Sequence, residues 1–129
     1  VAVLTNSSKT PVFTVSERIE LLKTATADYS NVEVCSFSGL LVDFLRKIDV
    51  KVVIKGIRAV SDFEYEFQQA LTNKSLCPQL ETVFLTAKGE NMFLSSSMVK
   101  EVCRLDGDIS AFVPKEILDD IIARCKGER

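Results

Sequence analysis

Four short apolar runs alternate with segments of helical periodicity, and this alternation constrains the chain more than any other feature. The runs are Val1-Ala-Val-Leu-Thr5, Val32-Glu-Val-Cys-Ser-Phe37, Lys51-Val-Val-Ile-Lys55 and Thr82-Val-Phe-Leu-Thr86. Short, β-branched runs bounded by turn residues are strand signals, and strands separated by helices pair in parallel because each crossover returns the chain to the same end of the sheet. The first run is apolar throughout, as expected of a strand buried on both faces. The pattern predicts a doubly wound parallel α/β sheet in a single domain over residues 1–129.

The helix signals are equally local. Thr14-Val-Ser-Glu17 has capping-box spacing, and Val15, Ile19, Leu22 and Thr26 follow at helical period, predicting a helix over about residues 15–28. A short helix is expected over 40–48 after Gly39. Ser61-Asp-Phe-Glu64 reads as a second capping box, opening a helix with Phe63, Phe67, Ala70 and Leu71 on one face. Ser95-Ser-Ser97 stands where the helix carrying Met98 to Leu105 begins, and Pro114 opens a last helix with Ile117, Leu118, Ile121 and Ile122 inward and Gly127 at its end.

Composition then narrows the chemistry. Sixteen Lys+Arg against eighteen Asp+Glu give a net charge of −2, without the basic excess of a general nucleic-acid or anionic-membrane binder, so an anion must be held by a local site. No apolar run approaches the roughly 20 residues that span a bilayer. These residues contain no His, which excludes a Ser-His-Asp triad, a His-bearing zinc site and any imidazole acid or base within them. Cys35, Cys77, Cys103 and Cys125 show no C-x-x-C spacing and are expected as reduced thiols in a cytoplasmic protein.

In open α/β sheets ligands bind outside the carboxyl ends of the strands, and three such loops carry suitable groups. Ser7-Ser8-Lys9-Thr10-Pro11 follows the first strand; it reads either as an ordinary polar loop or as a lysine placed over a phosphate. Lys55-Gly56-Ile57-Arg58 follows the third: two cations flank a Gly that lets a ligand approach the backbone, and Arg can grip a phosphate through two parallel bonds, although solvated charges on a surface turn would look the same. Asp62, Glu64 and Glu66 suit the macrodipole at the start of the next helix and need no function. Ser95, Ser96 and Ser97 offer hydroxyls beside unpaired backbone N–H groups, an arrangement that binds phosphate, whereas a plain cap needs only one Ser. No P-loop, G-x-G-x-x-G or G-x-S-x-G is present.

Taken together, Ser8-Lys9 with Pro11-x-Phe13-Thr14 and Glu17-Arg18, Asn31-Val-Glu-Val34, Phe37-Ser-Gly-Leu-Leu41, Gly56-x-Arg58-Ala-Val-Ser-Asp-Phe-Glu-Tyr-Glu66, Asn73, Leu80-Glu-Thr-Val-Phe-Leu85, Ser95-Ser-Ser-x-Val-Lys-Glu-Val102 and Gly107-Asp108 resemble the bacterial phosphopantetheine adenylyltransferase family over nearly the whole chain. The resemblance implies a dinucleotide-binding, Rossmann-like nucleotidyltransferase that joins the adenylyl group of ATP to 4′-phosphopantetheine, giving dephospho-coenzyme A and pyrophosphate by direct attack, with Mg²⁺. By position it implies that Lys9 holds the pantetheine phosphate and the transition state, that Leu41 lines the pantetheine arm, and that Lys55 stands at the acceptor phosphate where the family usually has Arg. It likewise implies that Gly56, Ile57, Arg58 and Glu66 bind ATP, with Arg58 catalytic beside Lys9. Asn91, Met92, Phe93, Leu94, Ser95, Ser96 and Ser97 would then close over the ATP phosphates and ribose. A homohexamer, coenzyme A as a feedback ligand, no nucleic acid and no membrane partner are the further implications.

The family opens with a Gly-[Thr/Ser]-Phe-Asp-Pro turn and a Thr-x-Gly-His helix start that these 129 residues do not contain. The resemblance therefore implies a first strand and helix upstream of Val1, and inactivity of the 129 residues without that His motif. A non-catalytic nucleotide-binding module and a nucleotidyltransferase with another acceptor, such as a nicotinamide nucleotide or a glycerol phosphate, are the competing readings. The 37–41 and 56–66 runs argue against the second, and whether the natural chain carries the upstream His motif decides between an enzyme and the first.

Overall fold

The computed structural model describes residues 1–5 and 11–127. Strands and helices alternate as the sequence predicts: β1 (Ala2–Leu4), α1 (Val15–Ala25), β2 (Cys35–Phe37), α2 (Leu41–Lys47), β3 (Val52–Ile57), α3 (Val60–Leu76), β4 (Glu81–Thr86), α4 (Ser96–Arg104) and α5 (Leu118–Cys125), with 3-10 turns at Gly89–Asn91 and Lys115–Ile117. Every described strand pair is parallel, β1 with β2 and β3 with β4, as two two-stranded sheets. The described chain divides into two units, Val1–Phe37 with Leu94–Arg129, and Ser38–Phe93.

In the first unit β1 pairs with β2 from Ala2↔Cys35 to Leu4↔Phe37. The second strand covers Cys35–Phe37, shorter than the expected 32–37, and ahead of the ladder Val1 N donates to Glu33 O at 2.6 Å. Only Val3 of β1 is buried, while Val1 and Leu4 are exposed, so the strand is covered on one face and not on both. The capping box at the start of α1 forms as its spacing predicts: Thr14 Oγ1 accepts from Glu17 N–H at 3.3 Å and Glu17 Oε2 accepts from Thr14 N–H at 2.7 Å. Glu17 also meets Arg124 of α5, whose guanidinium donates to Val12 O at 2.9 Å and lies 4.9 Å over the Phe13 ring. One arginine thereby ties the entry of α1 to the last helix through an ion pair, a backbone bond and a cation–π contact.

The end of α4 is a Schellman-type stop. Gly107 N–H donates to Val102 O at 2.9 Å and Asp106 N–H to Cys103 O at 3.1 Å, with Asp106 in the left-handed region at φ 58°. A Cβ on Gly107 would lie 2.5 Å from Val102 Cγ1 and 3.1 Å from Val102 O, so only Gly fits there. Cys103 is buried on α4; burial, and then the neighbouring Cys103 thiol, push the Cys125 thiol of α5 up. All four cysteines are free.

In the second unit β3 and β4 pair over six residues, from Val52↔Glu81 to Ile57↔Thr86. The third strand outlasts the expected stop at Lys55 because Leu85 and Thr86 extend the ladder past Gly56. Side chains alternate along it: Val53, Lys55 and Ile57 turn to the covered face and Val52 and Ile54 to the exposed one. Val42, Leu45 and Leu80 are the buried centre of this unit, with Leu41, Phe44, Val53 and Cys77 packed against them. The stripe expected to bury α3 is only half covered, since Phe63 meets Phe84 and stacks on Phe67 but both rings of the helix remain about 40% exposed, and Leu71 is more exposed still.

Two predictions follow from these contacts. The Arg124 guanidinium foremost, and then the Thr14 N–H, hold the Glu17 carboxyl down to about 2 from an ordinary 4.5. A depressed carboxyl stabilises fully above its unfolded value and loses that contribution as pH falls toward the folded one. The gap in thermal midpoint between wild type and Glu17→Gln is expected to stay constant above pH 4.5 and to close between 4.5 and about 2; a gap unchanged across that window contradicts the pairing. Gly107→Ala is expected to cost about 1–3 kcal/mol by overpacking Val102. Gly56→Ala, where an added Cβ meets nothing within 4 Å, is expected to leave the denaturation midpoint unchanged.

Candidate functional site

The carboxyl end of β3 carries the densest charge pattern that the sequence singled out. Ladder pairing holds Gly56 opposite Leu85 and Ile57 opposite Thr86, and Ala87 N–H closes the edge by donating to Ile57 O at 2.8 Å. Ile57 is buried, which anchors the backbone on either side of it and fixes where Lys55 and Arg58 leave the strand. The chain then stays extended at Ala59 (φ −141°, ψ 165°) and enters α3 at Val60.

That entry corrects the expected capping box. Ala59 is the N-cap without a side-chain bond, so Ser61 lies inside the first turn instead of ahead of it, and Glu64 is too far along to reach the cap. The rotation of α3 is set by aromatic packing: the Phe63 ring meets Phe84 edge-on at 5.6 Å and stacks on Phe67 at 5.4 Å. Asp62 and Glu66 each precede one of these rings by one residue and are four apart, so they form the neighbouring row of the same helix.

Each cation of the turn finds one carboxylate of that row. Lys55 Nζ lies 2.9 Å from Glu66 Oε2, with side chains 31% and 23% exposed. The contact is ionic and poorly aligned as a hydrogen bond, which leaves the buried Oε2 without a well-directed donor. Arg58 Nε donates to Asp62 Oδ2 at 3.0 Å, and Nη2 reaches Oδ1 at a longer 3.5 Å. Two cation–carboxylate pairs thus flank Gly56 along the chain, where an added Cβ would enter open space. Such a turn binds anions through charges already held in place and a backbone that a ligand can approach closely.

The remaining expected residues are distributed as follows. Leu41 opens α2 and packs against the Val42, Leu45 and Leu80 cluster. Asn91 ends the 3-10 turn after β4, and Met92 and Phe93 follow it, more than half exposed. Leu94 to Ser97 belong to the first unit, where Ser95 is the N-cap of α4 and its Oγ accepts from Met98 N–H at 3.2 Å. Capping therefore occupies Ser95, while Ser96 and Ser97 stand exposed in the first turn. Lys9, with Ser7 and Ser8, lies outside the described residues. Among the described residues no three His, Cys, Asp or Glu side chains converge to hold a metal. No described helix is long and apolar enough to cross a membrane.

Asp62 is the residue that sequence reasoning passed over. Its acidity accounts for itself as a match to the helix dipole, but the structure gives it a partner four residues earlier, just outside the helix. The available signal was the Arg-x-x-x-Asp spacing across a strand-to-helix turn.

Comparison with known proteins gives the site its family. Residues 1–102 match the cytidylyltransferase-like family model. The chain is 53% identical over 126 residues to the phosphopantetheine adenylyltransferase of Dictyoglomus turgidum, covering 98% of this chain and 79% of that protein. It is 53% identical over 118 residues to that of Alkaliphilus metalliredigens, covering 92% and 75%, and 51% identical over 129 residues to that of Natranaerobius thermophilus, covering 100% and 80%. With so much of its length matched to the model and about half of its residues shared with these relatives, the chain belongs to the cytidylyltransferase-like family and, within it, to the phosphopantetheine adenylyltransferases.

Proposed function

We propose that this chain is a single nucleotidyltransferase domain that transfers the adenylyl group of ATP to 4′-phosphopantetheine, a step of coenzyme A synthesis. The observation that carries the reading is the Lys55-Gly56-Ile57-Arg58 turn, with both cations held by carboxylates of α3 at the carboxyl end of a parallel strand. An oxygen of the acceptor phosphate attacks the α-phosphorus of ATP, the bond from that phosphorus to the bridging oxygen of the β-phosphate breaks, and pyrophosphate leaves with the electron pair. Both reacting partners are anions. The protein's task is then to bring them together and offset the charge that repels them, with no nucleophile of its own.

In this reading Arg58 and Lys9 contact the reacting phosphates, Lys55 holds the acceptor phosphate, and Leu41 borders the pantetheine arm. Gly56 and Ile57 present backbone to ATP, and Asn91 to Ser97 border its phosphates and ribose. The buried Glu66 Oε2, short of a well-directed donor, has acceptor capacity for a ribose hydroxyl. The described residues offer no three-carboxylate cage, so Mg²⁺ is taken as part of the MgATP substrate. Family membership also supports cytoplasmic location, assembly as a homohexamer and coenzyme A as a feedback ligand.

Calorimetric titration separates the roles of the two cations. Arg58→Ala is expected to weaken ATP more than phosphopantetheine, and Lys55→Ala the reverse. Each loss is expected at about 1–2 kcal/mol, because both side chains are partly exposed and solvent screens part of a charge-assisted bond. Equal losses on both ligands would mean one shared anion site and would overturn the assignment. Gly56→Ala, expected to fold normally, should weaken ATP by at least several-fold, since its methyl group fills the space of closest approach.

A further inference from the structure

We infer that Asp62 is a positioning residue for the proposed reaction, fixing the plane of the Arg58 guanidinium before ATP arrives. The inference rests on the proposed ATP role of Arg58 and adds a second residue through which that role is exerted.

The two ion pairs of the turn differ in what they constrain. An ammonium is a point charge with rotatable donors, so the single Lys55–Glu66 contact fixes a distance and no direction. A guanidinium is planar, with five coplanar donors. Asp62 engages one edge of it, Nε at 3.0 Å and Nη2 at 3.5 Å, and two contacts along one edge fix the plane of the whole group. Arg58 precedes the N-cap Ala59, outside the helix, and its side chain is 41% exposed. A guanidinium whose plane is set before the ligand arrives loses less side-chain freedom on binding than one that is not.

Asp62 is well placed to act as the anchor. It lies in the first turn of α3, and the Phe63 ring next to it is packed between Phe67 and Phe84, so the backbone that carries the carboxylate is held by the sheet. Its own side chain is 29% exposed, less than that of the arginine it holds. Interaction with the helix dipole would also favour an acid here. That effect contributes to folding stability and does not depend on the identity of residue 58, so the two roles separate experimentally.

The test is a double-mutant cycle in the naturally encoded protein, with any residues that flank these 129, reading pyrophosphate release from ATP and 4′-phosphopantetheine alongside the thermal midpoint. Asp62→Asn, isosteric and uncharged, is expected to raise KM for ATP about tenfold while KM for phosphopantetheine changes less than about twofold. In an Arg58→Lys background, where no fork remains to be oriented, the same change is expected to have less than about a twofold effect. If Asp62→Asn does not fold, Asp62→Ser takes its place in the cycle. An equal rise in KM for ATP in both backgrounds, no rise, or an equal rise for both substrates overturns the inference while leaving the proposed function standing. A wild-type protein that releases no pyrophosphate from these substrates overturns the proposed function and this inference with it.

Discussion

The parallel pairing of β3 with β4 is the constraint from which the candidate site follows. Six consecutive partners fix where β3 stops, and the buried Ile57 keeps its last residues from peeling away. The same pairing presents Phe84 to the first turns of α3, where its ring meets Phe63 and sets the helix rotation. Once that rotation is set, two carboxylates four residues apart stand beside the two cations of the turn. A site built this way is held by strand backbone and aromatic packing, and its charged groups need only small rotamer adjustments to receive a ligand.

This economy suits the chemistry of the family. Moving an adenylyl group between two phosphates needs no acid, base or nucleophile that a side chain must supply at an extreme pKa, and the charged groups of the turn provide cations in fixed positions. Pairing each cation with a carboxylate keeps it ordered when no ligand is bound. A lysine at position 55 keeps a positive charge there but has no guanidinium fork with which to grip a phosphate in a fixed direction.

Much of this was legible in the residues because the informative runs are contiguous. The Thr14–Glu17 capping box, the alternation of strands with helices and the Gly56-to-Glu66 run are all local patterns, readable without knowing what they pack against. What escaped depends on partners remote in sequence. The third strand runs past Gly56 because β4 continues beside it. The Ser61 box fails because α3 begins at the extended N-cap Ala59, and Asp62, read as an acid suiting the helix macrodipole, is found paired with Arg58. The Lys55–Glu66 pair spans a strand end and a helical turn, a distance that only the tertiary structure closes.

The most direct test of the account is turnover by the naturally encoded protein with both substrates supplied. Incubation with MgATP and 4′-phosphopantetheine should yield pyrophosphate and, by mass spectrometry, dephospho-coenzyme A in equal amounts, with neither product formed when either substrate is omitted. Nucleotide binding without dephospho-coenzyme A, or adenylyl transfer to a nicotinamide nucleotide or glycerol phosphate in preference to phosphopantetheine, would contradict it.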